Sequence, residues 1–356
     1  MMNTPLQLID SRGKYRQVEG NIISCVVSQD GQYIAFATAD GDLWLVPRNE
    51  LEDPQQWQMI QPHDGGILCL ARDSTPSGFL TSGDDNQIFR IIPGQDPQLL
   101  VKTKRWVEHI ALWIDPKGKG TKIAVTVGKE VHIYHHDFDQ PITILPHEST
   151  VSDLTFNQEG TRLATAYYSG VTLWDVKQPV AKKIKDFIWK GSHLVIALHP
   201  REEAVVTSMQ DHDLHGWRIS DGHNMRMSGY PTKVQSLQFS NDGKWLATSG
   251  AESIVMWPFF DGGPMGKPPV ELPGIPGGCC TIVQFHPTYG DLLAAGFLDG
   301  SVLFISPDGE KVLPISLGQE KDFGEVTAIS FDLSGSLFCF GTEKGIIAVI
   351  DLTAQA

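Results

Sequence analysis

The sequence predicts an all-β chain built from one repeated unit, and three observations carry that reading. A segment of two short apolar strands around a tight loop returns eight times in 356 residues. Its first apolar positions are Ile34, Phe79, Ile123, Leu163, Val205, Leu246, Leu293 and Phe338, spaced by 45, 44, 40, 42, 41, 47 and 45 residues. The runs are short and rich in β-branched, aromatic and small residues, and no amphipathic helical period competes with them.

Each copy opens on an apolar-alternating run, such as IISCVV, GILCLA, HIALWI, VSDLTF and VTAISF. Turn chemistry follows: SQDG at 28–31, DPKG at 115–118, NQEG at 157–160, SNDG at 240–243 and DLSG at 332–335. The last Gly of such a turn adopts positive φ without a Cβ penalty. The second and third strands come next, and most copies add a more polar fourth, as in WQMIQ, PQLLVK, PITIL, VAKKIKDF, PPVEL and KVLPISL.

Four antiparallel strands per 40–47 residues make a propeller blade. A lone four-stranded sheet leaves both faces wet, and stacking around an axis buries them. The expected fold is therefore one β-propeller domain over 1–356, with eight blades favoured and seven, one degenerate copy serving as an appendage, the alternative. The last copy runs out after its third strand, at Asp351-Leu352. Residues 5–19 are expected to supply the missing outer strand and latch the ring. The stretch 258–278, rich in Pro and Gly, is expected to project as a long loop.

The blade pattern resembles that of the WD-repeat propellers over nearly the whole chain. The best copy, HESTVSDLTFNQEGTRLATAYYSGVTLWDV at 147–176, has a His before its first strand and ends its third on Trp174-Asp175. The resemblance implies a hydrogen-bonded set within each blade: that His, a Ser/Thr of the second strand, an Asp of the following tight loop and the Trp. Here the set is eroded. Copy two offers His63, Thr81 and Asp85 with Ile91 at the Trp position. Copy four offers His147, Thr165 and Trp174 without the Asp. Copy five offers Thr207, Asp211 and Trp217, with Trp189 near the His position. Copy seven keeps Asp299-Gly300 but has Ile305 for the Trp.

The formal net charge of −14 disfavours phosphate backbones and anionic lipid, so neither nucleic acid nor membrane insertion is expected. An odd count of five cysteines with no framework spacing, and no signal-like start, point to a cytoplasmic setting. Cys25, Cys69, Cys279 and Cys280 fall in expected channel-lining strands, where a small apolar side chain packs well. His132, His135, His136, His212 and His215 lack metal-ligand spacing. No GxSxG, HExxH, Walker or Rossmann motif occurs, and GGPMGKPP at 262–269 is one residue short of a phosphate loop. No cofactor is expected.

A non-catalytic scaffold binding a protein or peptide partner is the expected function. Its candidate contact residues are Trp106, Tyr167, Tyr168, Trp189, Tyr230 and Asp84. Trp106, Trp189 and Tyr230 precede first strands, where an aromatic either meets a partner or fills the space of the family His. Tyr167 and Tyr168 share a tight loop, and alternation turns one of them outward. The alternative is an enzyme, a metal-assisted hydrolase or lyase, with its site at the channel mouth.

Overall fold

A computed structural model describes residues 7–118, 120–290 and 292–353. Strands follow the repeat closely. Copy one has Ile22–Val27, Tyr33–Thr38, Leu43–Pro47 and Gln58–Ile60, each antiparallel to the next. Copies two, three, six and seven give four-stranded sheets of the same order. Copy five, whose fourth strand is not apparent in the sequence, takes it from Asn224–Met227.

Among the described residues hydrogen bonding gathers the strands into seven sheets, so the favoured count of eight separate blades is corrected to seven. Copies four and five share one sheet because Lys182–Leu198 runs unbroken through 17 residues. Its first half pairs with Val171–Asp175 and its second with Val205–Met209. The segment Arg162–Asp175 doubles back at Ser169-Gly170, both at positive φ, and Val176 N–H donates to Thr161 C=O at 2.9 Å. Neither copy is an appendage.

Closure uses the chain's own start. Gly13–Gln17 lies antiparallel to Ile346–Asp351 and completes the sheet of copy eight. The expected strand over 5–19 is shorter than that. A helical turn, Leu8–Arg12, precedes it, and Pro5 and Leu6 lie outside the described residues. This turn fixes the latch to copy seven. Ile9 is 2% exposed among Ile315, Phe323, Phe340 and Ile350, the Gln7 carboxamide oxygen accepts from Leu317 N–H at 2.7 Å, and Lys321 pairs with Asp10 at 2.7 Å.

Buried side chains cluster between successive copies rather than inside one. Ile22, Val27, Phe36 and Val46 of copy one pack on Leu337, Cys339, Ile347 and Val349 of copy eight. Copies four and five, though joined by backbone, stack Ala164, Val171 and Leu173 on Ile196, Val205 and Trp217. Polar clasps reinforce these seams. Near the start of the first strands a hydroxyl reaches the next copy's backbone: Ser152 to His193 C=O, Ser236 to Val283 C=O, Thr281 to Val326 C=O and Thr327 to Ile22 C=O. At the other end, two His-Pro pairs after first strands do the same. His199 Nε2 donates to Gly243 C=O at 2.8 Å, and His286 Nε2 to Gly335 C=O at 3.0 Å.

The outer strand Val270–Leu272 pairs with Ile254–Met256, so the segment 258–278 is not one long loop; it is interrupted by a strand. No helix among the described residues is long and apolar enough to cross a membrane.

Candidate functional face

Loops before the first strands and loops between second and third strands meet on one face of the ring. In copy two, Asn86 C=O accepts from Thr103 N–H, which ties one loop type to the other. The polar sets expected from the resemblance lie just under this face.

In copy two, His63 Nδ1 sits 3.0 Å from Asp85 Oδ1 and Nε2 sits 3.0 Å from Thr81 Oγ1. Nδ1–H therefore donates to the acid and Nε2 accepts from the hydroxyl. His147 has no acid to use. Its Nδ1–H donates to Leu145 C=O at 3.1 Å, Nε2 lies 2.8 Å from Thr165 Oγ1, and Trp174 Nε1–H donates to Thr165 at 3.2 Å. A backbone carbonyl has replaced the carboxylate.

Copy five makes the same replacement at a residue the sequence reading passed over. His193, 1% exposed, places Nδ1 2.6 Å from Thr207 Oγ1 and donates from Nε2 to Trp189 C=O at 2.9 Å. Trp189 is thus not in the His position; His193 is, four residues later. The signal was present as a lone His beside Lys190-Gly191, where the long strand bends with Gly191 at φ 136°. Asp211, expected in this set, instead lines a surface cavity, and Trp217 contributes by packing its ring, tilted, 5.6 Å from that of His193. In copy six Tyr230 substitutes for the His altogether. Its hydroxyl lies 2.6 Å from Thr248 Oγ1 and accepts from Trp257 Nε1 at 2.7 Å, while Thr248 donates to Val255 C=O. Burial pushes the Tyr230 phenol up to about 12.

These placements sort the six candidate contact residues. Tyr230 is 8% exposed and Tyr167 6%, each bonded inside its own copy, so neither is a surface anchor. Trp106 at 55%, Tyr168 at 49% and Trp189 at 38% are open, and Asp84 is exposed. Trp106 borders a 370 Å³ cavity with Asn86, Lys104, Arg105 and Glu108. Trp189 stacks on His215 at 4.0 Å and borders one of 390 Å³.

Burial, the largest cause, pushes His147 down to about 4. Its neutral form is favoured in the fold, against an ordinary value of 6.5. The stability this supplies is whole above pH about 6.5, falls away as pH drops, and is lost below about 4; the full loss is about 3 kcal/mol. His193, His199 and His215 are lowered by burial too and act in the same direction. Denaturant unfolding between pH 7 and 4 is expected to show this slope, and His147→Gln to flatten part of it. An unchanged slope in that variant would count against the assignment.

All five cysteines are free, and burial raises Cys25, Cys69 and Cys280 above the ordinary thiol range. His132 pairs with Glu130, and His135 bonds Thr121 C=O. His136 Nδ1 lies 2.6 Å from Ser74 Oγ, a nucleophile–base distance. Arg90 Nη2 also lies 3.2 Å from that nitrogen. Among the described residues no group of three or more His, Cys, Asp or Glu is arranged to hold a metal ion.

Sheets radiating around an axis, buried against their neighbours and pinned internally by His–Thr–Trp sets, define a β-propeller of the repeat type. The sequence pattern described as "WD domain, G-beta repeat" matches residues 139–175 and 222–257. The "Anaphase-promoting complex subunit cdc20" of Dictyostelium discoideum is 24% identical over 173 residues, which cover 47% of this chain and 34% of that relative. The match thus spans about a third of the relative's length. The fold is thus a β-propeller, two of whose repeats match the WD-repeat pattern.

Proposed function

We propose that this propeller is a non-catalytic scaffold that binds a protein or peptide partner on the face carrying Asp84, Trp106, Tyr168 and Trp189. One observation supports it above others: copies two to five follow one another around the ring, and three large aromatics stay open on one face while their neighbours Tyr167 and Tyr230 are buried. Exposed aromatics of that size are favoured anchors at interfaces. WD-repeat propellers are generally interaction modules without catalysis, and the Dictyostelium relative is described as a subunit of a complex. The acidic balance favours a neutral or basic partner. We place the domain over 1–356 and the working protein in the cytoplasm.

The test is affinity purification with the triple variant Trp106→Ala, Tyr168→Ala, Trp189→Ala beside Tyr289→Ala, an exposed aromatic after a His-Pro pair on the opposite side. The triple variant is expected to lose at least nine-tenths of the wild-type partner and Tyr289→Ala to keep it. Full retention by the folded triple variant would move the interface elsewhere.

A further inference from the structure

One cavity on the proposed face is built differently from the others. Its 390 Å³ is bordered by Trp189, Lys190, Asp211, Asp213, His215 and Arg226. The His215 ring is 1% exposed and lies under Trp189, nearly parallel to it at 19°. His215 Nε2 lies 3.1 Å from Asn224 Oδ1 and so carries the proton. Nδ1 is left with a buried lone pair and no hydrogen-bond partner among the described residues. A buried acceptor left unpaired costs about 1–3 kcal/mol, so such an atom marks a place where a donor is missing.

The charges around it are unequal in availability. Asp213 Oδ2 takes both Arg226 Nε at 2.8 Å and Arg226 Nη2 at 2.5 Å, so these two cancel. Asp211 is exposed and has no ion-pair partner among the described residues. The cavity thus offers a free carboxylate, an aromatic face and an acceptor lone pair. A carboxylate attracts a cation, an indole face attracts one through its ring quadrupole, and the lone pair needs an N–H. Lys190 stands on the rim without an acid partner and opposes the same ligand.

Resting on the scaffold reading above, we propose that this cavity receives a basic side chain, lysine or arginine, of the partner, held between Trp189 and Asp211. Lys190 swings aside on its flexible stem, and the partner's backbone runs over the exposed Tyr168 side of the face.

The full chain, labelled with 15N at its histidines, is titrated with Nα-acetyl-arginine amide, Nα-acetyl-lysine amide and the neutral Nα-acetyl-norleucine amide, and His215 ring signals are followed. Both cations are expected to give saturable shifts, at least tenfold weaker binding in Asp211→Asn and several-fold tighter binding in Lys190→Ala. No saturable shift, an equal response to the norleucine amide, or unaltered binding in Asp211→Asn overturns the proposal. Partner recovery separates the two ideas. If Asp211→Asn keeps the partner while the probes do not bind, the scaffold stands and the pocket falls. If wild type recovers no partner but the probes saturate, the pocket stands and the scaffold falls.

Discussion

Deleting the segment through Gln17 opens the ring and costs on the order of 5 kcal/mol or more. Two losses add up. Ile9 leaves a site where it is 2% exposed among Ile315, Phe323, Phe340 and Ile350, and removing one such core residue alone costs about 2–5 kcal/mol. The five-residue ladder of Gly13–Gln17 on Ile346–Asp351 also goes. What remains at the rim is Ile346-Ile347-Ala348-Val349-Ile350, an unpaired apolar edge that templates association. Denaturant unfolding should show an earlier, broader transition, and sizing should show oligomers. Ile9→Asp, which keeps the strand but buries a charge, should shift the midpoint in the same direction. Asp10→Ala, which breaks only the partly exposed pair with Lys321, should cost less than about 1 kcal/mol. A deleted chain that stays monomeric with an unchanged midpoint would show that the latch is dispensable.

Gly335→Ala is expected to cost about 3–5 kcal/mol, far more than Gly94→Ala. Both residues sit at positive φ, 74° and 79°. Backbone strain alone costs an L-residue there about 1–2 kcal/mol. At Gly94 nothing lies within 4 Å of an added Cβ, so strain is the whole effect. At Gly335 the Cβ would overlap Cε1 and Nε2 of the His286 ring, which is 1% exposed and cannot retreat. Overpacking adds about 1–3 kcal/mol, and displacing the ring breaks its bond to Gly335 C=O. Equal midpoints for the two variants would mean that the His286 clasp yields freely.

The sequence made the architecture legible because its signal is redundant. A strand missed in one copy, such as Asn224–Met227, is implied by its counterparts. Latching by the N-terminal segment followed from a strand deficit at Leu352, though not the helical turn Leu8–Arg12, whose sequence LIDSR carries no side-chain cap. Merging of copies four and five was not legible. It depends on Lys182–Leu198 continuing through the bend at Lys190-Gly191 within one sheet, and Gly gives no hint of which path it takes.

The face was half legible, for a reason visible at three residues. His63 and His147 stand where the pattern puts them, because an Asp or a carbonyl can serve the same nitrogen. A carbonyl leaves no mark in a sequence, so Asp211 looked like the partner that Trp189 C=O in fact supplies to His193. Tyr230 and Tyr168 look alike in composition and differ by burial alone, 8% against 49%. That difference is set by whether a Thr and a Trp wait behind the ring, as Thr248 and Trp257 do for Tyr230.

The clasp between Gly13–Gln17 and Ile346–Asp351 has a consequence for biosynthesis. Gly13–Gln17 leaves the ribosome more than 300 residues before its mate Ile346–Asp351. At 5–20 residues per second the wait is roughly 15–70 s. Throughout it, the apolar side of Ile9 and the strand beside it have no home. Nascent chains of this protein should therefore engage holdase chaperones until Ile346–Asp351 is made, and release should coincide with its emergence.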